Sequence, residues 1–399
     1  MPVLNKKCVE AGVFTALALS CEVNAVSMFE RKHYFYSDLP AGFQITQQKK
    51  PLAVNGRIKF NVFKQGVHKE PYSKSSKVKQ IQLEQDSGRS MHNEDLGRSF
   101  IDLNRAGIPL MELVFEPDLT SGEEAAALVK ELCFILQLLG TCSCKMEEGA
   151  LRVDANVSIS KPDAPLGIRT ELKNIGSIAA INNAINYEIK RQISILERGG
   201  QVINETRAWN ALSKKTIIMR EKEDKHDYRF MPEPNLPPLC LYVNRNVENK
   251  YNLIDVQSIK KQLPKLPEQI RETLQNRKIF KESKIGIVNN KEYIEELVDL
   301  MQANVINQLT LRRLLNELIN EPNKMPKQIV EENNWFMISN EKELEILCLK
   351  ILEKNPGLVK KYKKGHKKVF KKFLHETIII SDRRADMSQV IKIMTRLLS

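Results

Sequence analysis

Short segments in which apolar and polar residues alternate recur through the first 245 residues, and they constrain the fold more than any other feature. The clearest is LRVDANVSI at 151–159, where apolar residues fall at every second position. A period of two is typical of a strand with one buried face and one solvated face. Further strand candidates are RIKFNVF, VKQIQLEQD, IPLMELVFE, IRTELKN and TIIMRE. The sequence therefore predicts strands that pair largely antiparallel.

Two helical segments interrupt these strands. SGEEAAALVKELCFILQLLG begins with a capping box at Ser121 and Glu124 and ends at Gly140. SIAAINNAINYEIKRQISILERGG ends at a pair of glycines and carries an apolar stripe on one face. The stripe consists of Ile178, Ile181, Ile185, Ile189, Ile193 and Leu196. Helices that cover one side of antiparallel strands predict an α+β domain.

The pattern changes past about Tyr251, after the proline-dense segment MPEPNLPPL. Periodic Leu/Ile patterns with Lys/Glu faces then predict helices, as in EYIEELVDLMQANVINQLTLRRLLNELI and EKELEILCLKILEKN. We predict three domains: a strand-rich domain over residues 1–245, a short helical domain over 246–320, and a helical tail over 321–399.

The charge and cysteine content narrow the class of protein. The 399 residues carry a net charge of +13, which indicates a polyanionic partner such as a nucleic acid or a membrane surface. No run of 18 apolar residues is present, so we expect no membrane span. The seven cysteines offer no disulfide framework, and Cys142 and Cys144 lie too close together for the usual zinc spacing. We therefore expect free thiols.

The segment VKKYKKGHKKVFKKFLHETII near the C-terminus is uniformly basic, with Tyr362, His366 and Phe370 between its lysines. Such a run is often only a solvated helix face. The alternative is a surface for RNA, because a few lysine contacts to phosphates release counterions and give salt-sensitive binding. We favour a nucleic acid over a membrane, since the apolar residues beside the lysines are too few for an interfacial face.

Carboxylates and basic residues are offset along several predicted strands. These residues are Glu84, Asp86, Arg152, Asp154, Arg169, Glu171, Lys173, Arg220 and Arg229. Each set alone is explained by a solvated sheet face. Together they fit a concave sheet whose acids bind Mg²⁺ and whose arginines bind phosphates. No phosphate-binding glycine loop is present, so a nucleotide would lie on the sheet surface.

Three other features are less decisive. The aromatic run Tyr34, Phe35 and Tyr36 in HYFYSDLPAGFQ could stack on a nucleobase or pack under a turn. His226 in KHDYRF is expected to be structural or to lie near a phosphate. A serine hydrolase is disfavoured, because no GxSxG segment occurs.

A set of longer segments gives the chain a specific resemblance. They are HYFYSDLPAGFQITQQ, IQLEQDSGRS, DLNRAGIPLMELVFEPDL, MEEGALRVDANVSI, RTELKNIGSIAAINNAINYEIKRQISILERGG, NETRAWN and HDYRFMPEPNLPPL. In this order, across about residues 1–240, they resemble the B-subunit family of glutamyl-tRNA(Gln) amidotransferase. The C-terminal part resembles the tail domain of that family more loosely.

The resemblance implies an antiparallel-sheet cradle of the glutamine synthetase and guanidino kinase type, followed by helical and tail domains that hold tRNA. It implies that ATP and Mg²⁺ serve to phosphorylate the γ-carboxylate of glutamate on Glu-tRNA(Gln). Ammonia from the amidase (A) subunit then displaces phosphate to give Gln-tRNA(Gln), and a small C subunit ties the other two together in a heterotrimer. The sequence of these segments is closer to that of the organellar form of the family, which implies a location in the mitochondrial matrix.

The resemblance also suggests residue roles. Metal binding would use Glu84, Asp86, Glu147 and Asp154. Catalysis would use Arg152, Asp154, Glu171 and Lys173. ATP or the phosphoryl group would be bound by Arg105, Arg169, Arg220 and Arg229. The ammonia path would be lined by Glu205 and Glu233.

The sequence departs from the family pattern in three ways. The family begins earlier, with a strand bearing a Glu-x-His pair and a cysteine-containing loop, and Gln85 stands where the family commonly has a second acid. The helical domain also looks short. We expect an N-terminally truncated chain that binds metal poorly. The alternatives are a non-catalytic tRNA-binding and assembly protein of the complex, and a general ATP-dependent ligase of the same fold.

Overall fold

A computed structural model describes residues 3–64, 67, 70–93, 96–173, 175–221, 229–243, 248–269, 271, 296–297, 299–301, 303–321 and 324–398. The chain forms two compact units, residues 1–273 and residues 274–399. The domain boundaries predicted at 245 and 320 stay predictions.

The first unit contains the strands. They are β1 (Glu22–Val23), β2 (Val26–Ser27), β3 (Glu30–His33), β4 (Phe43–Thr46), β5 (Ala53–Val62), β6 (Tyr72–Gln85), β7 (Arg89–Asn93), β8 (Arg98–Asp102), β9 (Pro109–Phe115), β10 (Ala155–Val157), β11 (Thr170–Lys173), β12 (Glu205–Asn210), β13 (Lys215–Glu221), β14 (Arg229–Pro232) and β15 (Leu239–Cys240). Its helices are α1 (Lys6–Ala18), α2 (Gly122–Leu138), α3 (Ile178–Glu197) and α4 (Val256–Lys260).

Two four-stranded sheets dominate this unit. The first has the order β1-β5-β6-β9, with every pair antiparallel. The second has the order β10-β11-β12-β13, in which β11 and β12 run parallel. Parallel neighbours need a crossover, and α3 supplies it between these two strands. Smaller sheets pair β14-β3-β4, β15-β2 and β7-β8.

The predicted α+β class is confirmed at the level of helices combined with largely antiparallel sheets. The strand predicted over 151–159 is wrong in extent, because only Ala155–Val157 pairs with β11. Residues 151–154 nevertheless keep the alternation: Leu151 and Val153 pack on the core, while Arg152 and Asp154 face solvent. The alternating pattern therefore predicted correctly which side chains are buried, but it predicted a longer paired strand than the structure has.

The helix signals are confirmed. The Ser121 hydroxyl accepts a hydrogen bond from the amide of Glu124 at 3.2 Å. The Glu124 carboxylate reaches back to the amide of Thr120 at 2.7 Å, one residue earlier than a capping box predicts. The helix stops before Gly140, whose φ of +67° suits glycine. Both α2 and α3 contribute to one apolar core with the sheets.

The predicted stripe of α3 is buried only in part. Ile181 and Ile185 are buried in the core, whereas Ile193 and Leu196 are exposed. In the second half of the helix the buried positions are polar instead, namely Glu188 and Gln192. An apolar period alone could not reveal them.

These two residues belong to a buried polar network that fastens α3 to the second sheet. Glu188 accepts hydrogen bonds from Arg191 at 2.7 Å, Gln192 at 2.9 Å and Thr216 at 3.1 Å. Arg191 also donates to Glu205 on β12, at 3.0 Å. Burial tends to raise the pKa of Glu188, but the hydrogen bonds from Arg191 and Gln192 outweigh it and lower that pKa. The network therefore keeps a buried carboxylate charged and paired.

The second unit is helical in its described part, as predicted. Its helices are α5 (Gln308–Asn320), α6 (Pro326–Glu332), α7 (Glu341–Lys354), α8 (Pro356–Lys363), α9 (Phe370–Ile380) and α10 (Met387–Leu398), with a 3-10 turn at Lys367–Val369. A buried cluster that includes Leu344, Ile351, Phe373 and Met394 holds α7, α9 and α10 together. Most of the segment EYIEELVDL lies outside the described residues.

The expectation of free thiols is confirmed. All seven cysteines are free thiols. Among the residues that the structure describes, no helix is both long and apolar enough to cross a membrane.

The polar network yields a stability prediction. Glu188→Gln keeps the shape of the side chain but removes one of the two carboxylates that Arg191 pairs with, so the free energy of unfolding should fall by about 3 kcal/mol. Urea unfolding in a Trp335→Phe background, where Trp209 is the one remaining tryptophan, measures it. Glu197→Gln, on the exposed end of the same helix, should change stability by less than about 0.5 kcal/mol.

The pH dependence has a defined sign. Because the folded-state pKa of Glu188 is lowered, its contribution is present above the unfolded-state pKa and is lost as the pH falls through the folded-state pKa. The difference between the native chain and Glu188→Gln should therefore shrink in acid. Equal effects of the Glu188 and Glu197 changes would contradict this account.

Candidate active site

Four carboxylates from neighbouring strands form a cluster in the first unit, here called the acid cluster: Glu84, Glu112, Asp154 and Glu171. Glu84 lies on β6 and Glu112 on β9, the outer strand of the first sheet. Gln82 stands directly opposite Glu112 in the strand register. Its buried amide donates to Glu112 at 2.6 Å and to Glu84 at 2.9 Å. One glutamine thus holds two carboxylates at the same place.

The Glu84–Glu112 pair is electrostatically strained. Burial, the charge of Glu84 and a hydrogen bond from that residue raise the pKa of Glu112 to about 7, while Lys32 and Gln82 oppose the rise. Glu84 is also held by the hydroxyl of Thr46 and by the amide of Gln44, the latter at 3.3 Å. Near pH 7 Glu112 therefore carries a proton for part of the time.

The other half of the acid cluster surrounds Lys173. Asn156 on β10 pairs with Glu171 on β11, so Asp154 falls beside Lys173 on the same face. The Lys173 ammonium lies 3.3 Å from Asp154 and 3.5 Å from Glu171. Although the Asp154 side chain is about half exposed, desolvation by the surrounding protein raises its pKa. Lys173 opposes this rise, and the charges of Glu171 and Glu112 add to it. Glu112 and Asp154 interact electrostatically, which joins the two halves.

Beside the acid cluster, two guanidiniums share one buried carboxylate; Arg105 and Arg152 are called the arginine pair below. Arg152 bonds both oxygens of Asp86, one at 3.3 Å, and Arg105 lies 3.2 Å from the same carboxylate. Arg105 also donates to the carbonyls of Ser87 at 3.0 Å and Gly88 at 2.7 Å. Asp86 therefore orients two cations that remain partly exposed to solvent.

The similarity of the chain to known proteins extends over both units. A sequence profile described as "GatB/GatE catalytic domain" matches residues 1–246, and one described as "GatB domain" matches residues 259–398. The chain is 45% identical to the mitochondrial glutamyl-tRNA(Gln) amidotransferase B subunit of Aedes aegypti, over 100% of the chain and 85% of that protein. The chain belongs to this B-subunit family. The protein of the same name from Drosophila melanogaster is 42% identical, with 100% and 86% covered. The protein of that name from Danio rerio is also 42% identical, with 94% and 77% covered.

Membership of the B-subunit family confirms the resemblance, and the names of these relatives confirm the mitochondrial form. Of the residues predicted for the site, the structure brings Glu84, Asp154 and Glu171 into the acid cluster and places Lys173 beside Asp154 and Glu171. It places Asp86, Arg152 and Arg105 beside this cluster, with both oxygens of Asp86 occupied by guanidinium groups. Their chemical roles stay predictions.

Other predicted residues lie apart from these groups or are paired elsewhere. Glu147 is exposed in a turn, and Arg169 is exposed just before β11, with no ion pair to any residue described by the structure. Arg229 is exposed on β14, which pairs with β3 in a different sheet. The backbone of Arg220 pairs with Thr206, but its side chain lies outside the described residues. His226 lies outside them as well.

The two acids assigned to the ammonia path are both buried and bound by arginine. Glu205 accepts from Arg207 at 2.7 Å and from Arg191 at 3.0 Å. Glu233 accepts from Arg31 through both oxygens, at 2.7 and 3.1 Å. These ion pairs explain the burial of both acids, and the ammonia-path role stays a prediction.

Sequence reasoning missed Glu112, Gln82 and Lys32. Glu112 is the one acid within the apolar strand PLMELVF, which was the available signal. Gln82 lies two residues before Glu84, on the same face of β6. The charge of Lys32 acts on Glu112 from a different sheet, so no pattern along one strand could have linked them.

The acid cluster makes a direct titration prediction. Glu112 should titrate at about pH 7 in ¹³C-carboxylate NMR of glutamate-labelled protein. Glu84→Gln removes the neighbouring charge, so the pKa of Glu112 should move down toward that of an ordinary glutamate. If Glu112 titrated as an ordinary glutamate in the unaltered chain, with a pKa of about 4.3, the coupled pair would not exist.

Proposed function

We propose that this chain catalyses the ATP-dependent step in the conversion of Glu-tRNA(Gln) to Gln-tRNA(Gln). The observation that carries the proposal is the acid cluster next to the arginine pair, in a chain of the B-subunit family. In this step the glutamyl γ-carboxylate attacks the γ-phosphorus of ATP, and ADP leaves. Ammonia then attacks the acyl carbon, phosphate leaves, and one proton is lost from nitrogen. Phosphorylation gives a poor acyl donor a leaving group.

The protein residues supply charge and orientation for this chemistry. Arg152 and Arg105, held by Asp86, would neutralise phosphate oxygens, for which their planar forks are suited. Lys173 would stabilise negative charge on the transferring phosphoryl group or on the glutamyl carboxylate. Phosphoryl transfer needs mainly such positioning and electrostatic stabilisation. The geometry thus supports the predicted roles of these residues, with Asp86 acting as an orienting residue.

The acid cluster fits Mg²⁺ by its donor chemistry. Glu84, Glu112 and Asp154 offer carboxylate oxygens, the donors Mg²⁺ prefers, and the raised pKa of Glu112 marks repulsion that a cation would relieve. Among the described residues, no three acidic, histidine or cysteine side chains are already gathered as a metal site, and Mg²⁺ takes much of its coordination from phosphates and water. When bound, it would neutralise charge on the phosphates.

The fold itself supports a cradle of the glutamine synthetase type. Polar side chains of β6, β9 and β11 meet in one place, although they belong to two sheets. We infer that the polar faces of these sheets form the concave surface on which ATP lies. This arrangement suits a nucleotide site without a glycine-rich loop.

A lysine-rich surface in the second unit suits the tRNA. Its members are Lys360, Lys361, Lys363, Lys364, Lys367, Lys368, Lys371 and Lys372, all exposed. Among described residues none of them pairs with an acid. Tyr362 and Phe370, with ring centres 5.9 Å apart, pack inward on the buried cluster instead. Uncompensated lysines on a folded surface favour phosphate binding.

The remaining partners follow from the reaction. The amidase (A) subunit would supply ammonia, and a small C subunit would hold the amidase and this chain together. The mitochondrial names of the relatives support work in the mitochondrial matrix.

The function is tested by Asp154→Asn in the assembled heterotrimeric enzyme. The unaltered chain should convert Glu-tRNA(Gln) to Gln-tRNA(Gln) with ATP, and the variant should lose about 10²-fold or more of this rate. Its affinity for the tRNA should change less than about 2-fold, because the lysine-rich surface is intact. Asp163→Asn, in an exposed turn, is the matched control and should retain the rate.

Other outcomes decide against the proposal. Binding of tRNA without amidation by the unaltered chain would support a non-catalytic assembly role. Amidation of free glutamate would support a general ligase.

Changes to the lysine-rich surface should have the opposite effect, with tRNA binding weakened and the maximal rate retained. Changing Lys363, Lys364, Lys367 and Lys368 to Glu should weaken tRNA binding about 10-fold or more and make its dependence on log salt shallower by about 3, at roughly 0.7–0.9 per phosphate contact. The maximal rate at saturating tRNA should be nearly unchanged. The control changes the exposed Lys342, Lys350, Lys354 and Lys392 to Glu, which alters the net charge equally. Equal weakening by both sets would rule out a localised tRNA surface.

A further inference from the structure

The turn that joins β3 to β4, residues 34–42 and here called the aromatic turn, presents an aromatic ring to solvent. Phe35 is 89% exposed. Tyr34 and Tyr36 flank it and contact each other edge to face, with ring centres 5.4 Å apart. A single exposed phenylalanine is ordinary, so its rigidity and its surroundings decide whether it can bind something.

The aromatic turn is held rigidly. The amide of Tyr34 donates to the carbonyl of Gly42 at 3.1 Å, and the amide of Gly42 donates to Leu39 at 2.9 Å. The amide of Leu39 donates to Tyr36 at 3.0 Å, and its side chain is buried. Gly42 has a φ of +71°, and a β-carbon there would stand 3.2 Å from the ring of Phe35. The Phe35 ring therefore projects from a fixed frame.

One end of the aromatic turn is bonded to the acid cluster. The Tyr34 hydroxyl donates to the side-chain oxygen of Gln44 at 3.4 Å. The amide of Gln44 donates to the carboxylate of Glu84 at 3.3 Å and to the carbonyl of Gln85 at 2.9 Å. Two side chains thus connect the aromatic turn to a carboxylate of the proposed catalytic centre.

The aromatic turn is also bonded to the segment that holds the arginine pair. The amide of Gly88 donates to the carbonyl of Asp38 at 2.8 Å, and the hydroxyl of Ser90 donates to the Asp38 carboxylate at 2.8 Å. Arg105 donates to the carbonyl of the same Gly88, at 2.7 Å. The aromatic turn is therefore bonded both to the acid cluster and to the segment that holds the arginine pair.

We propose that the aromatic turn binds an adenine base, which stacks on Phe35, as an adenosine subsite of the catalytic centre proposed above. An adenosine that carries a phosphate or an ester has an apolar, planar base at one end and its reactive group at the other. The base can therefore lie on the aromatic turn while the reactive group lies at the arginine pair and the acid cluster, to which the turn is bonded. Lys32, whose ammonium lies 5.7 Å from the Tyr34 ring centre, adds positive charge beside the base, as nucleotide surfaces commonly do.

Two adenosines of the reaction could supply this base: that of ATP, and the 3′-terminal adenosine of the aminoacyl-tRNA. Stacking recognises the face of the base and needs no hydrogen bonds from the protein. Losing one base–aromatic stack weakens affinity about 10- to 100-fold.

The experiment uses three changes at one position in the full chain. Phe35→Tyr keeps the ring, Phe35→Leu keeps apolar bulk without a ring, and Phe35→Ala removes both. Tyr251→Ala removes an aromatic that is 85% exposed outside the aromatic turn and is the matched control. Calorimetry measures affinity for a non-hydrolysable ATP analogue, for tRNA(Gln), and for tRNA(Gln) lacking its terminal adenosine.

We expect Phe35→Leu and Phe35→Ala to lose about 10- to 100-fold in affinity for one adenosine ligand, with Phe35→Tyr and Tyr251→Ala unaffected. If ATP supplies the base, the analogue alone is weakened. If the tRNA supplies it, the advantage of intact over shortened tRNA disappears. Unchanged affinity for all three ligands, or equal affinity of the Leu and Tyr variants with loss in Ala, would overturn the proposal.

This outcome is separate from that of the proposed function. A chain that binds adenosine through Phe35 but does not amidate Glu-tRNA(Gln) would keep the subsite and remove the assigned reaction. Amidation that is indifferent to the Leu variant, with unchanged affinities, would keep the reaction and remove the subsite.

Discussion

The ion pairing of Asp86 fixes the candidate site more than any other contact. Its backbone is held at the point where β6 ends, by bonds to Ile108 at 2.8 Å and from Gly107 at 2.9 Å. Its buried carboxylate then holds Arg105 and Arg152, which come from two other parts of the chain. A buried carboxylate with several charge-assisted partners is costly to separate from them. One side chain therefore sets the distance between three segments that carry the chemistry.

The charge balance of the site is arranged for ligands that bring both signs. Burial raises the pKa values of Glu112 and Asp154, and the acid cluster, which has more carboxylates than lysines nearby, adds to the rise through charge repulsion. Beside it, the arginine pair has one carboxylate for two guanidiniums. A site with excess negative charge thus lies beside a site with excess positive charge. A metal–nucleotide complex is complementary to both, because its cation and its phosphates carry the two missing charges.

Much of the fold was predictable because its signals are local. Alternation identified β5, β6, β9, β11 and β13, while a capping box and a glycine marked the two ends of α2 and a glycine pair marked the end of α3. Glu171 and Lys173 were predictable as neighbours because they share one strand, and Glu84 and Asp154 were added to them because they show the same pattern of offset charges. Glu112 and Gln82 meet Glu84 through the register of neighbouring strands, and that register depends on contacts far apart in sequence. The parallel pairing of β11 with β12 escaped prediction for the same reason, since it arises from the crossover through α3.

Family resemblance filled part of this gap, because it assigned chemistry to segments whose pairing the residues alone left open. It did not distinguish acids that face a ligand from acids that hold an arginine. Asp86 and Glu205 look like Glu84 in sequence, yet each is bound by two guanidiniums. Burial and partners, which only three-dimensional contacts provide, separate these classes.

The close approach at Gly88 has a wider consequence. A β-carbon at this position would lie 2.9 Å from the backbone oxygens of both Asp38 and Asp102. Even the smallest side chain would push the segment that follows Asp86 away from its neighbours on either side. Glycine is therefore the one residue that fits at this position, whatever residues occupy the solvent-facing strands around it.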